Sequence, residues 1–255
     1  RVDDPSSTTH SPLLLNTSPT QVDLPAVTGN DNRNNVEQVV INNPAPGNYQ
    51  FSVTGTAINS GGSQAYYLVF DTIPVSTTLN YPIGGEKLVP GDVINIEWDS
   101  YGNPANNFTI QFSSDNGNSW TDVANGTNIS AQLRQLEWTV PSVAAEQARI
   151  KVIQNGTGLE SISEPFIIIG VPNVQLVPSL ANQCEGYINL TWAAVSGATD
   201  YEVMLYRGGN SLTSVGITSA TTFAIGGLSK DSTYWATVRP RINGIPGRRG
   251  QAVTR

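Results

Sequence analysis

Apolar and polar residues alternate with a period of two along most of the chain, and Gly, Pro and Asn interrupt the alternation at short intervals. Val36, Gln38 and Val40 alternate with Glu37, Val39 and Ile41; after Asn42-Asn43-Pro44-Ala45-Pro46-Gly47, Tyr49, Phe51 and Val53 alternate with Gln50, Ser52 and Thr54. The pattern predicts two strands joined as a hairpin, since the Pro/Gly stretch removes backbone donors and sets a turn. Ala65 to Phe70 reads as a further buried strand, and residues 1 to about 28 read as a Ser/Thr/Pro-rich loop with a short strand at Leu13-Leu14-Leu15. In a second stretch Val93, Asn95 and Glu97 are predicted to face one way and Ile94, Ile96 and Trp98 the other. Strands follow over Phe108 to Phe112, Leu136 to Val140, Ala148 to Ile153 and Phe166 to Ile169. A third stretch carries Ile188 to Trp192 and Asp200 to Tyr206, with Tyr201, Val203 and Leu205 inward, and then Leu228 to Val238. No window of a dozen residues keeps helical apolar spacing without a Gly or Pro. The chain is therefore expected to be all-β, as three consecutive β-sandwich modules over 1–73, 74–170 and 171–255.

Composition supports this picture: 24 Gly and 16 Pro stand against only 13% charged residues. The net charge of −7 disfavours nucleic acid as a partner, because phosphate binding needs clustered Lys and Arg. Arg239, Arg241, Arg248 and Arg249 are the one basic cluster, and they read as a solvated strand and hairpin face or else as an anion site. The single Cys184 excludes an intrachain disulfide and is either a small buried hydrophobe or a reactive thiol. No apolar run approaches the roughly 20 residues that span a bilayer. The acidic, Asn/Thr/Gly-rich, Cys-poor makeup fits a secreted or cell-surface bacterial protein. An opening at Arg1 without Met is expected of a mature product or a fragment.

Residues with chemical potential are few. His10 is the only histidine and sits in a Ser/Thr-rich segment, where it reads as an exposed loop residue. Ser113-Ser114-Asp115-Asn116-Gly117-Asn118-Ser119-Trp120 resembles the Asp-box of sialidase propellers, a self-closing turn in which Asp115 accepts backbone donors and Gly117 supplies a positive φ. A single copy without propeller repeats implies structure and no sugar hydrolysis. Calcium could be held by the oxygen-rich loop of Asp31, Asn32, Asn34, Asn35 and Glu37, or by Asp3 with Asp4; the simpler reading is that these residues form Asx turns. Zinc is excluded for want of His and Cys. Tyr101, Trp120, Trp138 and Trp235 are aromatic types that could stack on sugar rings or pack internally, while Trp98 and Trp192 read as core.

Three resemblances add to this reading. Val36 to Val53, preceded by Thr28-Gly29-Asn30-Asp31-Asn32 and followed by Ala65 to Phe70, resembles the jelly-roll module that follows the catalytic domain of secreted subtilisin-like serine proteases of the Bacteroidetes type. In that family a strand ending in an Asp-Leu-Asp-Leu run precedes the position of Arg1, so the resemblance implies a jelly roll lacking its first strands. Thr77 to Gly170, with Trp98 on an early strand and strands spaced by turns, resembles bacterial immunoglobulin-like modules. Ile188-Asn189-Leu190-Thr191-Trp192, Asp200 to Tyr206, and Leu228 to Val238 resemble strands B and C and the F-strand corner of fibronectin type III domains, with Leu228 plugging the core and Tyr234 as the tyrosine-corner donor. The resemblances imply a chain without catalytic residues, partnered by an upstream protease domain of the same protein and by an extracellular protein or polysaccharide. The alternative is a fragment of an adhesin or carbohydrate-binding multidomain protein.

Overall fold

The computed structural model describes residues 1–255 apart from 23, 31–33, 56, 59–60, 103–104, 178–185 and 210. Every regular element among the described residues is a β-strand. The chain divides into two compact units, one of Arg1–Ser76 with Ser100–Ala105 and the other of Thr77–Asp99 with Asn106–Arg255.

The first unit holds β1 (Val2–Asp3), β2 (Thr9–His10), β3 (Leu13–Leu14), β4 (Val27–Thr28) and β5 (Gln50–Phe51). β2, β1 and β5 form one antiparallel sheet, and β3 with β4 forms a ribbon. The hairpin expected around Pro44 and Pro46 is not what forms. Its returning half survives as β5, which pairs with Val2 and Asp3 and not with Val36 to Ile41. Val36 to Ile41 makes no ladder; its Gln38 carbonyl accepts one hydrogen bond, from Leu13 N–H at 2.8 Å, and Val36 is 80% exposed. Ala65 to Phe70 is likewise no buried strand, with Tyr67 95% and Val69 89% exposed. A period-two pattern states only a preference, and a strand exists once a partner edge supplies the hydrogen bonds; here Val2 and Asp3 pair along one edge of β5, and Val36 to Ile41 joins no ladder.

In the second unit the first sandwich comprises β6 (Ser76–Tyr81), β7 (Lys87–Leu88), β8 (Val93–Tyr101), β9 (Phe108–Ser113), β10 (Thr121–Asp122), β11 (Gln135–Thr139), β12 (Ala145–Gln154), β13 (Leu159–Ile162) and β14 (Phe166–Ile168). One sheet runs β10-β9-β12-β14-β7, with β13 also on β12, and faces a second of order β11-β8-β6. The pleat of β8 is as predicted: Ile96 and Trp98 are buried while Val93, Asn95 and Glu97 are exposed. Trp98 packs on Phe108 at 5.4 Å between ring centroids, within a core that includes Ile110, Trp138, Ile150 and Phe166.

The second sandwich comprises β15 (Gln175–Leu176), β16 (Ile188–Thr191), β17 (Asp200–Tyr206), β18 (Thr213–Thr218), β19 (Thr222–Ile225), β20 (Trp235–Ile242), β21 (Ile245–Pro246) and β22 (Val253–Thr254). The sheet β15-β16-β19 opposes β18-β17-β20-β21, with β22 also paired to β20. This is the three-on-four arrangement of a fibronectin type III-like sandwich, with β16 as strand B, β17 as C and β20 as F. Trp192 meets Tyr201 edge-on at 5.3 Å inside it. Tyr234 does make the expected corner, but as acceptor: Ser229 N–H donates to its phenol oxygen at 3.0 Å.

The two sandwiches share one compact unit. Ile167 and Ile169 of the first form an apolar cluster with Ile242 of the second, flanked by Val195 and Ala198. Polar ties surround it: Arg248 Nη1 lies 2.7 Å from Asp92 Oδ2, and Asn243 Nδ2 donates to Glu146 Oε2 at 2.8 Å. Gly197, at φ +80°, sits where a Cβ would overlap the Ala144 side chain, so glycine permits the close approach.

Candidate binding surfaces

The Asp-box segment folds into the self-closing turn expected of it. Ser113 ends β9, and its hydroxyl donates to Asp115 Oδ1 at 2.7 Å while accepting Gly117 N–H at 2.8 Å. Asp115 also accepts Ser119 N–H at 2.9 Å and the Ser119 hydroxyl at 2.6 Å. These donors, the Ser119 hydroxyl foremost, pull the Asp115 carboxyl down to about 2. Asn116 N–H reaches the Gln147 carbonyl, and Arg149 Nε donates to Asn116 Oδ1 at 2.7 Å, so the turn is bolted to β12. Trp120 lies half-buried beneath Lys151, whose Nζ stands 4.3 Å above the ring. The carboxylate oxygens are committed to the turn, which makes this a structural element.

Of the calcium candidates, Asp31 and Asn32 lie outside the described residues, as does Cys184; Asn34 and Glu37 are exposed. Among the described residues no three His, Cys, Asp or Glu side chains gather as a metal site. Asp3 and Asp4 follow the turn reading. Asp3 accepts the Thr9 hydroxyl at 2.5 Å, and Asp4 Oδ1 accepts the N–H groups of Ser6 and Thr8, each at 2.9 Å. The Ser6 hydroxyl and then the Thr8 N–H lower the Asp4 carboxyl to about 2. His10 is no free loop residue: it belongs to β2, opposite Val2, with Nε2 at 3.1 Å from Asp4 Oδ2.

The aromatic candidates separate clearly. Trp138 is core at 6% exposure and stacks on Phe112, Trp120 is capped by Lys151, and Tyr101 and Trp235 stand 48% and 41% exposed. Of the two exposed candidates, Trp235 is set in a ladder of paired side chains. The register of β17 on β20 places Asp200 opposite Arg241, Glu202 opposite Arg239, Met204 opposite Thr237 and Tyr206 opposite Trp235, all on the face turned away from the core residues Tyr201, Val203 and Leu205. Arg241 grips Asp200 with two bonds of 2.5 and 3.1 Å, and Arg239 lies 2.7 Å from Glu202. Burial pushes the Glu202 carboxyl up, but the bonds from Arg239 and Ser214 outweigh it and hold it below the usual range. The bond to Asp200 raises Arg241 further. Tyr206 and Trp235 meet edge-on at 5.6 Å.

Of the four clustered arginines, Arg239, Arg241 and Arg248 are each paired with a carboxylate and Arg249 is exposed, so the three paired ones do not form an anion site. The ladder itself escaped sequence reasoning. Its signal was present, two acids spaced by two on strand C and two arginines spaced by two on strand F, but it shows only once those strands are set in register.

No family model and no curated protein matches the chain. Solved structures give loose likenesses. Titin domains A168-A170 align over 71% of this chain and 64% of their own length, at 17% identity and a TM-score of 0.32. A two-domain fibronectin type III segment of chicken tenascin aligns over 71% of this chain and 97% of its own, at 9% identity and 0.42. The FN5 domain of Drosophila Lar aligns over 34% and 94%, at 20% identity and 0.29. The chain thus spans less than two thirds of the titin segment. Its class rests on its own topology: an all-β chain with an immunoglobulin-like sandwich and a fibronectin type III-like sandwich in tandem.

Proposed function

We propose that this chain is a non-catalytic accessory region of a secreted subtilisin-like serine protease of the Bacteroidetes type, stabilising and docking a catalytic domain that lies upstream. The observation that carries the reading is the uncovered apolar surface of the first unit. Val36, Tyr67, Val69 and Phe70, the residues that resemble the protease-associated jelly roll, stand between 80 and 95% exposed. Tyr67, Val69 and Phe70 lie within four consecutive positions, and apolar residues so exposed mark a surface that another folded body covers; a neighbouring catalytic domain would be that body. The second unit, with its two sandwiches clamped through Ile167, Ile169 and Ile242, suits a spacer that holds its cargo at fixed geometry.

The flanking reading frame tests this directly. Asp, His and Ser segments of a subtilisin core upstream of Arg1 are expected; further sandwiches there would instead favour an adhesin or carbohydrate-binding protein, a reading that the exposed Trp235, packed on the half-buried Tyr206, supports. Co-expression of such a catalytic domain should protect the amides of residues 64–73 from hydrogen exchange. Proteolytic activity in this chain alone would overturn both readings.

A further inference from the structure

We infer that the outward face of β17 and β20 binds a neutral glycan chain, with Trp235 and Tyr206 as the stacking element and Asp200, Arg241 and Arg239 as the hydroxyl-binding element. The inference holds independently of which parent protein carries the chain.

Three features of the face select this ligand chemistry. The first is the aromatic pair. Trp235 projects from the sheet at 41% exposure, and its edge-on contact with Tyr206 fixes the plane of the indole. An aromatic ring with an apolar face and a polar edge matches a pyranose, which carries C–H groups on its faces and hydroxyls at its rim.

The second is charge. Two carboxylates and two guanidiniums lie side by side and cancel, bonded to one another at 2.5 to 3.1 Å. A polyanion or polycation gains no steering from such a face. A sugar hydroxyl donates and accepts at once, and here the partly exposed Asp200 carboxylate and the partly exposed Arg239 and Arg241 guanidiniums stand side by side on adjacent strands. The mutual bonds also hold all four side chains in place before a ligand arrives, which lowers the ordering cost of binding.

The third is the shape of the patch. From Asp200 to Tyr206 the strand runs about 20 Å, long enough for several linked sugar rings. The space between the aromatic and charged ends is closed by Thr237 and Met204, 2% and 8% exposed, so the patch has no broad apolar centre. Protein interfaces concentrate apolar groups at their centre and keep charge at the rim; this face places paired charges over half of its length.

Native gel electrophoresis of the full chain, in gels cast with barley β-glucan, galactomannan, xyloglucan or dextran sulfate, tests the assignment. Retardation by at least one of the three neutral polysaccharides is expected, unchanged by added salt. Trp235→Ala should weaken it by about tenfold or more, the scale of one lost stacking contact, and Arg241→Gln should weaken it too, whereas Trp120→Ala should not. A second measurement does not depend on the fold of a variant: with 5-fluorotryptophan incorporated, the Trp235 fluorine resonance should shift on adding the retarding polysaccharide, while those of the core Trp98 and Trp192 should stay in place. Absence of retardation by all three neutral polymers, retardation by dextran sulfate alone, or a Trp235 resonance that does not move would each overturn the inference.

Discussion

Asp115 shows how far one residue can organise a turn. Its two oxygens take bonds from Ser113 and Ser119, and Gly117, at φ +87°, leaves room for Trp120, whose ring would lie 3.2 Å from an added Cβ. Because the Asp115 carboxyl is depressed to about 2 in the folded chain from an ordinary value of 3.8, its stabilising contribution is fully present above pH 3.8 and is lost as pH falls through about 2. Carbon-detected NMR titration should place the Asp115 midpoint near the lower value, and Asp115→Asn should speed hydrogen exchange at the Gly117 and Ser119 amides. Tyr234 offers a second test at this scale. Tyr234→Phe removes the acceptor of the Ser229 N–H and keeps the ring, so it should cost about 1 kcal/mol in urea unfolding, the usual net value of one hydrogen bond.

Between elements, apolar and ionic contacts carry different shares. At the sandwich junction Ile169 is 1% exposed, while the Arg248 side chain paired with Asp92 is 52% exposed. Truncating a buried isoleucine costs about 2–5 kcal/mol, and an exposed ion pair contributes about 0–1 kcal/mol. Ile169→Ala should therefore lower the unfolding midpoint strongly and Arg248→Ala barely; equal effects would show that the ion pair holds the junction. Within the β17–β20 ladder Glu202 is only 9% exposed. Glu202→Gln leaves Arg239 facing a neutral amide in a desolvated site and should cost about 1–3 kcal/mol. The depressed Glu202 carboxyl gives the same sign for pH: its contribution is present above the ordinary glutamate range and fades as acid titrates it below that range.

At the scale of the molecule the two units differ in how much they bury. The second has two continuous cores built on Trp98 and Trp192, and the first shows short strands with Val2 as the buried hydrophobic residue among its described residues. Few buried contacts mean low local stability and ready cleavage. Limited proteolysis of the full chain should cut within residues 64–75 and leave a resistant fragment that begins near Thr77 and contains both sandwiches, identifiable by intact mass. A bound catalytic domain should suppress that cut, which links the measurement to the proposed role.

Much of this architecture was legible in the order of residues. Alternation on β8 assigned Trp98 to the interior, the pattern from Asp200 to Tyr206 assigned Tyr201, Val203 and Leu205 inward, and the Asp-box spacing determined its turn, because each depends on backbone geometry within a few residues. What needed tertiary structure was every property of pairing. Val36 to Ile41 alternates as a strand does, yet β5 pairs with Val2 and Asp3 and Val36 to Ile41 joins no ladder. Arg239 and Arg241 read as a basic cluster until register set them against Glu202 and Asp200. His10 looked free until β1 brought Asp4 beside it. Local sequence decides which side of a strand is apolar; which strand lies next to it, and so which charges cancel and which aromatic stays exposed, is decided by contacts between residues far apart in the chain.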